Sequence, residues 1–382
     1  MPHPVARRTV LAALAGGSAA VAWSAAGSVP SLGEPSRRMS SFGKDGAALQ
    51  QAFDWAHASM GTLLLDTEVV VDRPVFMGNL RLVDSGGRIL ILADENFQHP
   101  TEAPGVNWAA INMRSAPANP VYGEALDTQY LVKIDPGSRI DFLRTVKGQP
   151  RYPIRFIGLK EGSYLYPVFT ARSTVDGDFN GPDWQFYNRC RIGGSYSLTY
   201  DKGNPTGGFF LRDMDTQKMG AAYYSDFELD DPVFSKFGGR GECVAIFTTY
   251  TQPGHLRCRG NITVANSDGI GFSILNRSKA SRDDFRVSLG RVAVTTTVRN
   301  NQTAIRIDDD FATIEDLDVT VTGATPDTRR ASVIHCLNRS GTQATPQLGK
   351  ARLVIDSAVE RDVHRLLDLR GRCAIGQMVR GN

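Results

Sequence analysis

Five side chains in the second half of the chain could do acid–base chemistry if folding brought them together: Asp268, Arg306, Asp308, Asp309 and His335. Hydrolysis of a glycosidic bond needs two carboxyl groups, one protonated and one ionised. Crowded aspartates split their pKa values in that direction, and the run Asp308-Asp309-Asp310 supplies crowding. Elimination from a uronate needs other parts. A cation or Ca2+ neutralises the sugar carboxylate, a base takes the neighbouring proton, and an acid protonates the departing oxygen. Arg306 would neutralise, and His335 would be base or acid. Neither reaction requires a cofactor from this chain. If Ca2+ takes part, the acidic stretch Asp226, Glu228, Asp230 and Asp231 offers oxygen ligands. Trp184, Tyr250, Arg277 and Arg339 are the candidates for holding the sugar. Plainer readings stand beside these. Asn and Asp at turns bond neighbouring backbone, a run of aspartates makes a solvated turn, and an aromatic can plug a loop.

The elements that would position these groups repeat. A phrase of apolar residues closing on Asn, Asp, Thr or Arg occurs at Gly208-Phe209-Phe210-Leu211-Arg212-Asp213 and Val244-Ala245-Ile246-Phe247-Thr248-Thr249. It recurs at Phe272-Ser273-Ile274-Leu275-Asn276-Arg277, Ala304-Ile305-Arg306-Ile307-Asp308-Asp309, Val333-Ile334-His335-Cys336-Leu337-Asn338-Arg339 and Leu366-Leu367-Asp368-Leu369-Arg370. Copies lie roughly 28 to 36 residues apart, a period typical of solenoids. A second phrase precedes most of them, as in Phe285-Arg286-Val287-Ser288-Leu289 and Asp316-Leu317-Asp318-Val319-Thr320-Val321. It alternates apolar and polar residues and is rich in Val, Ile and Thr, the period-two signal of a strand. Two or three short strands per repeat describe one coil of a parallel β-helix, each strand pairing with its equivalent one coil on. In that register Ser273, Arg306 and His335 share one column, and Asn276, Asp309 and Asn338 share a turn. The Asn residues are read as a backbone-bonding ladder.

Composition narrows the function classes. The chain has 382 residues and a net charge of +3 with both signs interspersed, so no basic stripe marks a nucleic-acid surface. The five cysteines (190, 243, 258, 336 and 373) show neither a CxxC pair nor metal-ligand spacing. Residues 1–27 begin with Arg7-Arg8 ahead of a short Ala-rich apolar run, the plan of an export signal of twin-arginine type. That run is short for a membrane span, which needs about 20 residues. The expectation is a periplasmic or secreted protein with no membrane contact after signal cleavage. Residues 28–41, rich in Ser, Pro, Gly and Arg, read as a linker. Residues 42–382 read as the β-helix domain, with long loop excursions within 93–185.

The start of that domain resembles the pectate-lyase-like superfamily of right-handed β-helices, shared with many phage tailspikes. Phe42-Gly43-Lys44-Asp45-Gly46 is a shortened form of its entry phrase, and Ala48-Leu49-Gln50-Gln51-Ala52 matches its first helix. The resemblance implies an all-β, single-stranded right-handed parallel β-helix whose N-terminal helix covers the open strand edges of the first coil. Asn266-Ser267-Asp268 is also similar to the Asn-Thr-Asp motif of polygalacturonases, which would make Asp268 a catalytic acid and Asp308-Asp309 the paired carboxylates. Other motif parts depart from that family: Gly254-His255 precedes Asp268, and Arg306-Ile307-Asp308 stands where Arg-Ile-Lys would be. The superfamily includes lyases, hydrolases and binding proteins. The expected partner is a polysaccharide, acted on by a lyase or glycoside hydrolase, or bound without catalysis by a glycan-binding or cell-surface module.

Overall fold

The computed structural model describes residues 35–98, 109–114, 128–148, 150–185, 188–202, 207–213, 224–248, 255–277, 281, 283–298, 302–309, 311–324, 332–336, 345–356, 365–369 and 373–381. The proposed signal segment 1–27 lies outside them. Ser36–Arg38, inside the 28–41 segment read as a linker, forms the first strand and pairs with Thr62–Leu65.

Each turn of the chain contributes three strands, one to each of three parallel ladders. Thr62–Leu65, Glu68–Val71 and Val75–Met77 make the first coil. Leu80–Asp84, Arg88–Ala93 and Ala109–Met113 make the second, and each strand pairs in parallel with its predecessor. The third ladder runs on through Tyr152–Ile157, Asp183–Gln185, Phe209–Arg212, Glu242–Phe247, Ile270–Leu275, Thr303–Asp308, Ser332–Cys336 and Arg365–Leu369. The chain is therefore an all-β parallel β-helix with one helix at its N-terminal end.

Alternation explains why this sequence coils. In Arg88–Ala93 every second residue is buried, and Ile89 and Ile91 face inward. Equivalent positions stack about 4.8 Å apart. Leu63, Leu82, Ile134, Leu165, Ile192 and Leu229 thus form one continuous inward column. Such a column has no end of its own, and the helix Gly46–Ser59 supplies one. Asp45 caps it by accepting from the Ala48 N–H at 2.8 Å, and Leu49, Ala52, Phe53 and Ala56 form its buried stripe. Gln50 donates to the Phe76 carbonyl at 3.0 Å and accepts from the Phe76 N–H at 2.7 Å. The edge of the first third-ladder strand is thereby satisfied, and Val70 N–H donates to the Lys44 carbonyl on the neighbouring ladder.

The cross-section changes along the axis. Up to Tyr224–Leu229 and Val233–Phe237 the first two strands of a coil are separate; from His255–Ser267 onward they run together as one bent strand. The bend begins at Gly260, at φ +110°, where a Cβ would sit 2.0 Å from the Leu229 carbonyl oxygen. Phe285–Val298, Thr313–Ala324 and Gln347–Ile355 repeat the fused form. The third ladder keeps separate strands throughout, and its outward positions include buried residues such as Asp183, Ala245 and Ser273 beside part-exposed ones such as Phe210, Arg306 and His335.

Candidate functional site

Strands of the third ladder alternate like the others, and their outward positions form two columns. One runs Arg155, Asp183, Phe210, Ala245, Ser273, Arg306 and His335. The second runs Gln185, Arg212, Phe247, Leu275 and Asp308. Inward positions such as Val244, Ile246, Phe272 and Ile274 sit in the core. The expected column of Ser273, Arg306 and His335 is present as a backbone register.

Two charged clusters lie on this face. Nearer the N-terminal end, the Asp183 carboxylate is fully buried between guanidinia from the two adjacent coils. Arg155 Nε donates at 3.1 Å, and Arg212 donates through Nε at 2.9 Å and Nη2 at 2.8 Å. Gln185 Nε2 adds contacts at 3.2 and 3.3 Å. Burial on its own would raise the Asp183 acid, but Arg212 and Arg155 outweigh it and hold the carboxyl below its ordinary value. The cluster carries two guanidinium charges against one carboxylate. Tyr152 lies beneath Arg155 at 5.5 Å, and burial followed by the Asp183 charge pushes its phenol above the ordinary range.

The other cluster is built within one strand. Arg306 Nε and Nη2 donate to Asp308 Oδ2 at 2.9 and 2.5 Å, a pair two residues apart on the outward side. Asp308 is buried and Arg306 half-buried. Asp309 turns the corner. Its backbone neighbour column is Asp213, Thr248 and Asn276, linked by Asp213 N–H to the Phe247 carbonyl, Thr248 N–H to the Leu275 carbonyl and Asn276 N–H to the Asp308 carbonyl. Asn276 Nδ2 reaches Asp309 Oδ1 at 3.5 Å, and Thr248 Oγ1 reaches Asn276 Oδ1 at 3.4 Å. The Asn276–Asp309 turn is thus a buried ladder of polar side chains. Ser273 Oγ, fully buried, has no hydrogen-bond partner among the described residues.

An aromatic pair lies between the clusters. Phe210 and Phe247 are half-buried and meet edge to face at 5.6 Å, with the Arg277 guanidinium 5.0 Å from the Phe247 ring centre. Part-exposed aromatic rings with a cation over one of them offer apolar contact and positive charge together.

The structure corrects several sequence readings. Trp184 cannot stack on a sugar from outside. It is fully buried, edge-on to Tyr196 at 5.3 Å and to Phe234 at 6.2 Å, because its column faces inward beside Leu211. Asp268 does not join Asp308 and Asp309. It precedes the strand Ile270–Leu275, whereas Asp309 follows the paired strand one coil on, so the strand's length of about 20 Å separates the two corners. At its own corner Asp268 Oδ2 accepts from the Gly238 N–H at 2.9 Å, a corner bond between coils. The acidic stretch is engaged elsewhere, on the first ladder and the turn after it. Asp226 and Glu228 pair with Arg259, Glu228 also pairs with Arg189, and Asp230 accepts from Tyr166 at 2.7 Å. No group of three or more His, Cys, Asp or Glu side chains placed to hold a metal occurs among the described residues, so the donor set expected for Ca2+ is not found there. Tyr250, Asp310, Asn338 and Arg339 lie outside the described residues.

Sequence reasoning missed Arg155, Asp183 and Arg212, and the outward phenylalanines. Phe210 and Phe247 did stand in the repeating phrase, at the position that alternates with inward Leu211 and Ile246. The class these features define is an all-β parallel β-helix with a polar and aromatic strip along one of its three faces. Comparison of the chain with protein-family models, with characterised proteins and with solved structures returned no match.

Proposed function

We propose that this protein binds an acidic polysaccharide along the outward face of the third ladder, and that it is an exported member of the pectate-lyase-like superfamily. The observation that carries the reading is the edge-to-face pair Phe210–Phe247 with Arg277 over the Phe247 ring, placed between two arginine-bearing clusters on the same ladder. A polymer lying along the helix axis would meet aromatic faces and guanidinia in turn. The superfamily reading is supported by the stacked parallel coils and by the helix whose Gln50 closes the first edge.

Binding is the first reading because the carboxylates on this face are engaged by cations: Asp183 is held ionised by two arginines and Asp308 is paired with Arg306. Hydrolysis would need one carboxyl held protonated. A lyase is the second reading, favoured by the register that sets Arg306 beside His335. There Arg306 would neutralise a uronate carboxylate and His335 would exchange the proton.

The test is affinity electrophoresis in gels containing polygalacturonate, alginate or neutral dextran, with absorbance of unsaturated product followed in parallel. Retardation by an acidic polymer and not by dextran is expected, weakened in the Phe247→Ala variant. No retardation by either acidic polymer, or retardation unchanged by Phe247→Ala, overturns the binding reading at this face. Unsaturated product that disappears in His335→Ala would establish the lyase.

A further inference from the structure

The C-terminal end of the solenoid differs chemically from the N-terminal end. The last described strand, Ala374–Gly381, pairs on one side only, with Gln347–Ile355, and most of its side chains are exposed, Met378 by 50%. No strand among the described residues pairs with its outer edge, so this strand is held by one neighbouring strand. Just ahead of it stands Cys373, half-buried against the core, with its side chain in hydrogen-bond contact with Cys336. Cys336 closes the strand Ser332–Cys336 of the third ladder, faces inward and is 1% exposed.

We infer that Cys336 and Cys373 form a disulfide in an oxidising compartment, tying the start of the last strand to the third ladder. The pair is specific among the five cysteines. Cys190 and Cys258 share one inward column, but Phe227 occupies the coil between them. Two coils separate their backbones by about 9.6 Å, beyond the span a disulfide bridges. Cys243, fully buried on the third ladder, is held as a thiol by burial, which pushes it up to about 12. The partners in the proposed pair differ in the way disulfide exchange needs. The hydrogen bond from Cys336 holds the Cys373 thiol below its ordinary value. The same contact, with burial, raises Cys336. Cys373, the more exposed, is the attacking thiolate.

The oxidant is a low-molecular-weight disulfide such as oxidised glutathione. Cys373 Sγ attacks one of its sulfurs, forming a mixed disulfide and expelling one glutathione thiolate. That thiolate takes the Cys336 proton. Cys336 Sγ then attacks Cys373 Sγ, forming the protein disulfide and releasing the second glutathione. Two protein thiols have lost two protons and two electrons, and the glutathione disulfide has gained them.

The full folded chain is incubated with oxidised glutathione, quenched in acid, and its thiols are counted in denaturant. The count is expected to fall from five to three, and a non-reducing digest to contain the Cys336–Cys373 cross-linked peptide. The oxidised protein is expected to melt at higher temperature than the reduced one. Cys373→Ser, at the less buried member, is expected to keep four thiols under oxidation and to lose the melting shift. Five thiols after treatment, a persistent glutathione adduct on Cys373, or a cross-link to Cys190, Cys243 or Cys258 overturns the inference.

Discussion

The outward face of the third ladder carries two arginine–aspartate clusters that look alike in composition and differ in construction. At Asp183 the carboxylate is gripped from both adjacent coils, by Arg155 before it and Arg212 after it. At Asp308 the partner is Arg306 of the same strand. The first arrangement spans three coils and the second lies within one strand, while in both the aspartate is buried and the arginines are part-exposed. A charge pair that crosses coils is a staple of the solenoid, whereas a pair within one strand adds no coil-crossing ion pair of its own. The comparison therefore separates a structural use of the same residues from a use open to a ligand.

The largest effect that would break the comparison is at Asp183. Asp183→Ala leaves two guanidinia beside each other without their carboxylate, and a loss of about 3–5 kcal/mol in urea unfolding is expected. Asp308→Ala removes a hydrogen-bonded carboxylate from one part-exposed arginine, and about 1–2 kcal/mol is expected. Equal losses would show that coil-crossing is irrelevant.

Acid titration sharpens the same contrast. The Asp183 acid is held below its unfolded value, so its contribution is fully present above the unfolded pKa and is lost as pH falls through the folded one. Stability measured downward from pH 5 should fall less steeply in Asp183→Asn than in the native chain. Identical slopes would mean that other carboxylates dominate.

A smaller effect concerns Arg277, whose contact with Phe247 is worth about 0.5–1 kcal/mol at an exposed site. Arg277→Ala should weaken polymer retardation by a few-fold while moving the urea midpoint little. A stability loss with unchanged retardation would place Arg277 with the staples.

The mildest expectation is a control lying off this face. Lys236 is buried and donates to the carbonyls of Arg240 at 2.6 Å and Glu242 at 3.3 Å, and burial lowers its pKa to about 8. The folded state releases this proton before the unfolded state does. Its contribution to stability therefore rises with pH between about 8 and the ordinary lysine value. Lys236→Met should flatten stability against pH across that window.

Much of the scaffold was legible because its cause is local. Alternation in Phe272-Ser273-Ile274-Leu275 says which side chains face in, and similar phrases align at Arg306 and His335 as the pairing shows. The capping helix could be read from Leu49, Ala52 and Phe53, although the exchange of both Gln50 amide bonds with Phe76 could not. The candidate site was legible only in part. Asp268 resembled a catalytic motif, yet it belongs to the opposite corner of its strand. Trp184 read as a loop aromatic, yet alternation within Asp183–Gln185 turns it inward. Three residues are too few to show a period.

Sequence alone determined the coil, its inward columns, the helix that closes it and the turn that Asn276 and Asp309 share, whereas the burial of Asp309 there, against a reading of solvated aspartates, came from the structure. Side-chain direction in a strand is set by the residue's own place in the chain, and that is written locally. Only the tertiary structure decided that Arg155 and Arg212 meet at Asp183, that Phe210 and Phe247 meet edge to face, and that Asp268 stands apart from Asp308. Those meetings join residues about a full coil apart, and coils differ in length through their excursions. Register between neighbours follows from how the whole stack packs, and no count along the chain supplies it.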